Sequence, residues 1–428
     1  MKRFQKLIIA AAALGCLGAA GAGFFFFWPH SLPDVSASAL QPTGAALIAR
    51  GEHLTLAADC AACHTTKGGK PFAGGLPFKL PFGTIYSSNI TTDPEHGIGA
   101  WTDAEFVRAV RTGVGAHGEN LYPAFPYASY ALMTTDDILA VRAYLRTLAP
   151  VSEDPPSNSL AFPFNQRWLM RGWNLLFLPS RPLENDPSKD EQWNRGAYLV
   201  EALEHCGECH TPRGLMFQRK QSEALSGSEV DGWKAWNITS DPDSGIGLWT
   251  NDEIVSFLSK GHANGHGPAG GAMREAVDLS LSKLPTSDIE AIVAYLRTVP
   301  PIESDEKVRV KRKSSIQNAS SRNSDETLGS RIFAGACASC HGLGGDGLVN
   351  SRANIIGAHA LADVDGSNFI RVVLQGSSDS MVAPGRTMPA FAAIYNDAEI
   401  AALANFVIGH LGEKKGAVTA EDVAKARE

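Results

Sequence analysis

Cysteine is scarce for a disulfide-built scaffold: seven residues in 428 are too few to staple a chain of this length. Charge is thin as well, at 19%, yet an apolar content of 44% excludes a largely disordered chain and suffices for two to four domains with real cores. There is no basic excess. Lys and Arg total 38 against 45 Asp and Glu, a formal balance of −7, so no nucleic acid partner is expected. Nucleophile triads, phosphate loops and paired-carboxylate motifs are also missing, which leaves no sign of substrate chemistry. The few cysteines are nevertheless highly ordered. Six of them form three C-x-x-C pairs, each followed at once by His.

Lys2, Arg3 and Lys6 precede an uncharged stretch from Leu7 to Trp28. As a helix it would span about 33 Å, one hydrocarbon thickness. A basic start before an apolar run is an export signal, and the positive-inside bias places the rest outside the cytoplasm. The chain is therefore expected at the cytoplasmic membrane, facing the periplasm. Residues 1–28 serve either as an uncleaved anchor or as a signal cut near Ala20-Gly21-Ala22. The run Phe24 to Phe27 with Trp28 suits a helix end at the membrane interface and favours the anchor. Cys16 reads as apolar filler.

The remainder is one unit repeated three times. The first copy contains Arg50-Gly51, Cys60-Ala-Ala-Cys63-His64, Asn89-Ile-Thr-Thr-Asp-Pro94 and Gly97-Ile-Gly-Ala-Trp101-Thr102. The second contains Arg195-Gly196, Cys206-Gly-Glu-Cys209-His210, Asn237-Ile-Thr-Ser-Asp-Pro242 and Gly245-Ile-Gly-Leu-Trp249-Thr250. Each closes with an amphipathic helix, from Thr135-Asp and from Ser287-Asp, in which Thr or Ser is the expected N-cap. The third is shorter: Gly329 and Phe333 lead to Cys337-Ala-Ser-Cys340-His341, and Asn396 opens its closing helix. The boundaries are an anchor or signal over 1–28, a spacer over 29–44, haem domains over 45–151, 191–301 and 326–412, an aromatic-rich connector over 152–190, a polar linker over 302–325 and a tail over 413–428. The fold class is all-α, three tandem domains behind one N-terminal helix, with strands scarce. The third domain, on its polar tether, is expected to move relative to the first two.

In C-x-x-C-H the thiols lie about one helical turn apart, so both can form thioethers to one haem while the adjacent His supplies the proximal nitrogen. Zinc would need paired knuckles 12–20 residues apart, whereas these pairs are far more widely spaced. A redox dithiol would not need an adjacent His three times. Three covalent haem c groups are thus expected on Cys60/Cys63, Cys206/Cys209 and Cys337/Cys340, with iron held by His64, His210 and His341. Met133, Met273 and Met388 lie where a sixth ligand is expected, with Met381 the rival to Met388. Both axial sites are then filled, which suits electron transfer and blocks oxygen or peroxide binding. The other histidines, His266 and His359 among them, read as surface or structural. Asn89-Ile-Thr and Asn237-Ile-Thr match the glycosylation pattern but recur at one repeat position, so they read as a turn or haem-edge support. Trp101 and Trp249 are expected to pack on the porphyrin or the core.

These residues, with Tyr122-Pro-Ala-Phe-Pro-Tyr127 and Phe162-Pro-Phe-Asn, resemble the three-haem cytochrome c subunits of membrane-bound periplasmic dehydrogenases acting on alcohols, gluconate, sorbitol, fructose and aldehydes. The resemblance covers roughly residues 45–412. It implies a non-catalytic electron-transfer subunit that takes electrons from a separate dehydrogenase subunit and passes them to ubiquinone or a terminal oxidase. In related domains a Pro carbonyl commonly orients the proximal His. The third copy departs from this, with no Pro between His341 and Pro384. The alternatives are a haem enzyme with one open iron site, of peroxidase or reductase type, and a free multihaem carrier.

Overall fold

The computed structural model describes residues 2–35, 44–304, 327–347, 351–377 and 387–428. Residues 36–43 of the spacer, the polar linker beyond Ser304, Met381 and Pro384 lie outside the described residues. The chain forms two compact units, Met1–Thr55 with Cys63–Glu184 and Leu56–Ala62 with Asn185–Glu428.

In the first unit the repeat motifs become helix boundaries. Thr102 opens the helix Asp103–Thr112 through a reciprocal cap: its hydroxyl accepts from the Glu105 amide, and the Glu105 carboxylate accepts from the Thr102 amide at 2.7 Å. Gly113 ends that helix in the left-handed region at φ 64°. The closing helix is Thr135–Leu145, and its cap is Thr134, one residue earlier than the pattern suggested. The helix Gly44–Ala57 crosses it at Gly51, where an added Cβ would stand 1.9 Å from the Ala140 carbonyl oxygen. The two backbones touch, and only glycine fits. Beside the crossing Arg50 pairs with Asp137 at 2.6 Å. Arg142 is buried and donates to the carbonyls of Ile98 and Trp101 at 3.0 and 2.7 Å, tying the closing helix to the Gly-Ile-Gly-x-Trp loop. Burial, with Arg146 nearby, pushes its guanidinium down to about 10.

The connector forms the helix Leu169–Phe177, seated through Trp173, whose ring stands edge-on to Tyr127; Leu175 and Leu176 remain exposed. The N-terminal segment is a 26-residue helix, Lys2–Phe27, with Phe4, Leu7, Ile9, Leu14, Leu17, Phe24 and Phe27 exposed. Among the described residues no helix is long and apolar enough to cross a membrane.

The second unit repeats the device twice. Thr250 and Glu253 form the same reciprocal cap on Asn251–Lys260. Gly196 meets the Ala291 carbonyl oxygen of Thr286–Leu296 at 1.9 Å, and Gly329 meets that of Ala402 in Asp397–His410 at 2.1 Å, both as distances from an added Cβ. Arg195 pairs with Asp288 at 2.7 Å. The expected Ser cap on the second closing helix is replaced by Pro285, which has no side-chain bond to offer.

Two further expectations are corrected. The fold is not purely helical: an antiparallel sheet joins Pro77–Leu80, Gly83–Tyr86 and Ser159–Leu160, and two ribbons pair Ser228–Val230 with Trp233–Ala235 and His262–Ala263 with Gly267–Pro268. All are loop excursions of two to four residues per strand. The third copy is docked, not loosely tethered. Lys234 pairs with Asp363 at 2.9 Å, Asn368 exchanges two hydrogen bonds with the Lys234 backbone, and Arg371 donates to the Gly232 carbonyl at 2.7 Å. The tail carries the helix Ala420–Arg427, whose Val423 joins the third core while Arg427 pairs with Asp397 at 2.6 Å.

Candidate haem-attachment sites

Each C-x-x-C-H motif is a short helical turn: Cys60–His64, Gly207–His210 preceded by Cys206, and Ala338–His341 preceded by Cys337. Residues at i and i+3 share a helix face, so each thiol pair points the same way. None of the six is drawn into a disulfide. Burial pushes Cys209 and Cys337 up to about 11 and Cys206 well above the usual thiol range. The direction is opposite to that of the low-pKa dithiols of exchange enzymes. Among the described residues no cluster of three His, Cys, Asp or Glu is arranged to hold a metal ion.

The histidines are held in a way the motif alone did not reveal. Nδ1 of His64 lies 2.6 Å from the Ser88 carbonyl, that of His210 lies 2.6 Å from the Trp236 carbonyl, and that of His341 lies 2.7 Å from the Ala353 carbonyl. A carbonyl can only accept, so Nδ1 carries the proton and Nε2 keeps the lone pair that ligates iron. Burial pushes His64 and His210 below the usual imidazole range, partly opposed by those same hydrogen bonds. For these two rings burial therefore favours the neutral, ligating form. The Pro carbonyl expected from related domains is replaced in all three copies, and His341 is held like the others.

A sequence signal for these carbonyls existed. Ser88, Trp236 and Ala353 each precede an Asn-Ile pair. Asn89 and Asn237 accept from the amides two residues on, Thr91 and Thr239, at 2.9 and 2.8 Å, and Asn354 does the same for Ile356 at 2.9 Å. The Asx turn fixes the peptide that presents the carbonyl. Asn89 and Asn237 are buried, and their amides donate to the carbonyls of Val151 and Ile302, both at 2.7 Å. They are structural and closed to glycosylation.

The methionines are less alike. Met133 is buried at the end of the Tyr127–Tyr130 turn, where its carbonyl accepts from Arg111 at 3.0 Å. Met388 is partly buried against the third core, and its backbone exchanges two hydrogen bonds with Ser377. Met273 lies in the first turn of the helix Gly271–Leu279, while the buried Leu284 stands before Pro285 and Thr286, where the first copy has Met133 before Thr134 and Thr135. Met381 is outside the described residues.

Comparisons with known proteins agree with this chemistry. A family model described as cytochrome c matches residues 48–149, and one described as cytochrome C oxidase, cbb3-type, subunit III matches residues 324–407. The fructose dehydrogenase cytochrome subunit of Gluconobacter japonicus is 38% identical over 92% of this chain and 86% of its own length. The gluconate 2-dehydrogenase cytochrome c subunit of Pantoea cypripedii is 39% identical over 89% and 90%. A nicotinate dehydrogenase subunit of Pseudomonas putida is 39% identical over 93% of this chain, which spans about a third of that longer protein. Cytochrome c domains imply covalently bound haem c, and the paired thiols and carbonyl-held imidazoles fit it. The chain belongs to the cytochrome c subunits of dehydrogenases.

Proposed function

We propose that the chain relays electrons from a separate dehydrogenase subunit, which oxidises the substrate, through three haems to ubiquinone or a terminal oxidase. The haems attach at Cys60/Cys63, Cys206/Cys209 and Cys337/Cys340. His64, His210 and His341 are the proximal ligands, and Met133, Met273 and Met388 the sixth. The observation that carries this reading is one local device occurring three times: a C-x-x-C-H turn whose His Nδ1 meets a backbone carbonyl at 2.6 to 2.7 Å.

Haem bound at these motifs supplies reversible one-electron iron chemistry. The protein does the positioning. The carbonyls of Ser88, Trp236 and Ala353 set the tautomer and orientation of each proximal ring. The glycine crossings at Gly51, Gly196 and Gly329 lock each opening helix, which leads into the Cys pair, against its closing helix. Methionine ligands close the irons to oxygen and peroxide and raise their potentials. Residues 1–28 direct the chain to the periplasmic face of the cytoplasmic membrane, a reading supported by the row of exposed apolar side chains along Lys2–Phe27.

The test uses the purified full chain. Its mass after denaturation should exceed the polypeptide by three haems. It should be reduced and reoxidised by mediators, show no turnover with alcohols, aldehydes or sugar acids, and become reduced when mixed with its dehydrogenase subunit and substrate. Steady turnover of peroxide or nitrite would establish a haem enzyme with an open iron instead.

A further inference from the structure

The second and third copies meet through aromatic rings as well as ion pairs. Trp249 lies nearly parallel on His266, with centroids 3.6 Å apart, and stands edge-on to His359 of the third copy at 5.8 Å. Trp236 is also edge-on to His359, at 5.6 Å and 88°. Both ends of this cluster lead to a proximal histidine. The Trp236 carbonyl accepts from His210, and His359 lies six residues beyond Ala353, whose carbonyl accepts from His341. The positions matching Trp236 in the other copies are Ser88 and Ala353, which carry no ring. Of the three copies, the second alone places an indole there.

The surrounding backbone is close-packed. A Cβ at Gly357 would stand 1.9 Å from the Gly265 carbonyl oxygen, and one at Gly267 would stand 2.5 Å from the Ala358 Cβ. The rings are thus held at fixed separation by the backbone on both sides. Burial, and secondarily His266, pushes His359 down to about 4, so its ring is uncharged at neutral pH.

We propose that Trp236, Trp249 and His359 are positioning residues that couple the haems of the second and third copies, Trp236 and His359 joining the two carbonyl-held proximal histidines across the interface. The proposal rests on haem attachment at Cys206/Cys209 and Cys337/Cys340. In the step it serves, one electron passes between the two irons, oxidising one from ferrous to ferric and reducing the other from ferric to ferrous. No proton moves, and the rings keep their own oxidation state. Electronic coupling falls steeply across empty gaps and less through bonded or touching atoms. The sequence from His210 through the Trp236 peptide and ring to His359, and along the backbone to Ala353 and His341, is continuous contact.

The experiment injects one electron by photoreduction into the oxidised full chain and follows its redistribution among the haems. His359→Ala and Trp236→Leu should each slow one equilibration phase several-fold with haem spectra and midpoint potentials unchanged. His359→Phe, which restores a ring, should recover the rate. Lys234→Ala, which breaks the Asp363 ion pair without touching a ring, should leave it alone. Unchanged rates in both ring variants, each carrying three haems by mass, would overturn the coupling role. So would equal slowing by Lys234→Ala, which would assign the effect to docking, or potential shifts large enough to explain the rates. A wild-type mass lacking a haem on either motif would overturn the attachment reading, and the bridge with it.

Discussion

Replacing Gly329 by Ala tests the crossing of opening and closing helices, the feature common to all three copies. The new Cβ would stand 2.1 Å from the Ala402 carbonyl oxygen and 2.7 Å from the Phe406 Cβ. The nearest atom is backbone, more than an ångström inside ordinary contact, and it cannot rotate away. Alanine itself favours helix over glycine by about 1 kcal/mol. Overpacking a well-fitted contact costs about 1–3 kcal/mol, and more where backbone must move. The net expectation is a loss of about 2 kcal/mol, equivalent to roughly 30-fold more frequent opening. Hydrogen exchange of the full-length holoprotein, read by mass spectrometry on peptides from Leu328–Ile332 and Asp397–His410, localises the effect to the third copy and avoids assuming one transition for the whole chain. Gly409→Ala is the control: it lies in the same closing helix, and its nearest neighbour, the Lys414 carbonyl oxygen, is 3.7 Å away. That variant should exchange as slowly as the parent or more slowly. If Gly329→Ala matches it, the crossing does not depend on glycine and the reasoning fails.

The features legible in the sequence were those written in side chains at regular spacing. The C-x-x-C-H motifs fall on short helical turns and the apolar periodicity of the closing helices falls on helices. What escaped was written in the backbone. The carbonyls of Ser88, Trp236 and Ala353 have no residue type of their own, and only the Asn-Ile that follows each of them marks the place. The small strands run two to four residues, too short for alternation to show. Docking of the third copy was hidden for a related reason. Its contacts come from isolated residues, Lys234, Gly265, Gly357 and Asp363, with no period, while the polar linker suggested independence. Repeats also conceal substitution of means. Arg142 and Arg297 both donate to the carbonyls of the Gly-Ile-Gly-x-Trp loop, yet they sit a turn apart in their closing helices, so no position-by-position reading pairs them.

Three further outcomes are expected. Changing Cys206 and Cys209 together to Ala should lower the holoprotein mass by one haem; an unchanged mass would remove the assignment for that copy. Asp93 accepts hydrogen bonds from the Ser152 hydroxyl at 2.5 Å and from the His96 and Glu95 amides, which hold its carboxyl well below the ordinary range. Because the folded value is the lower one, this stabilisation is present above about pH 4 and is lost as acid protonates the group. Asp93→Asn should therefore be less stable than the parent at pH 7 and should lose less further stability on acidification; parallel pH profiles would refute it. The last concerns the sixth ligand of the third copy. The Met388 amide donates to the Ser377 hydroxyl at 2.8 Å and its carbonyl accepts from the Ser377 amide at 3.0 Å. Met388→Ala keeps both bonds, so the loop should stay in place and only the thioether is lost. A thioether ligand raises haem potential, so removing it should lower one of the three potentials and abolish one iron–thioether charge-transfer band, with the other two haems unaffected. Met381→Ala should leave bands and potentials as they are. The opposite pattern would move the ligand to Met381, and loss of the band in neither variant would place the third iron outside His/Met ligation.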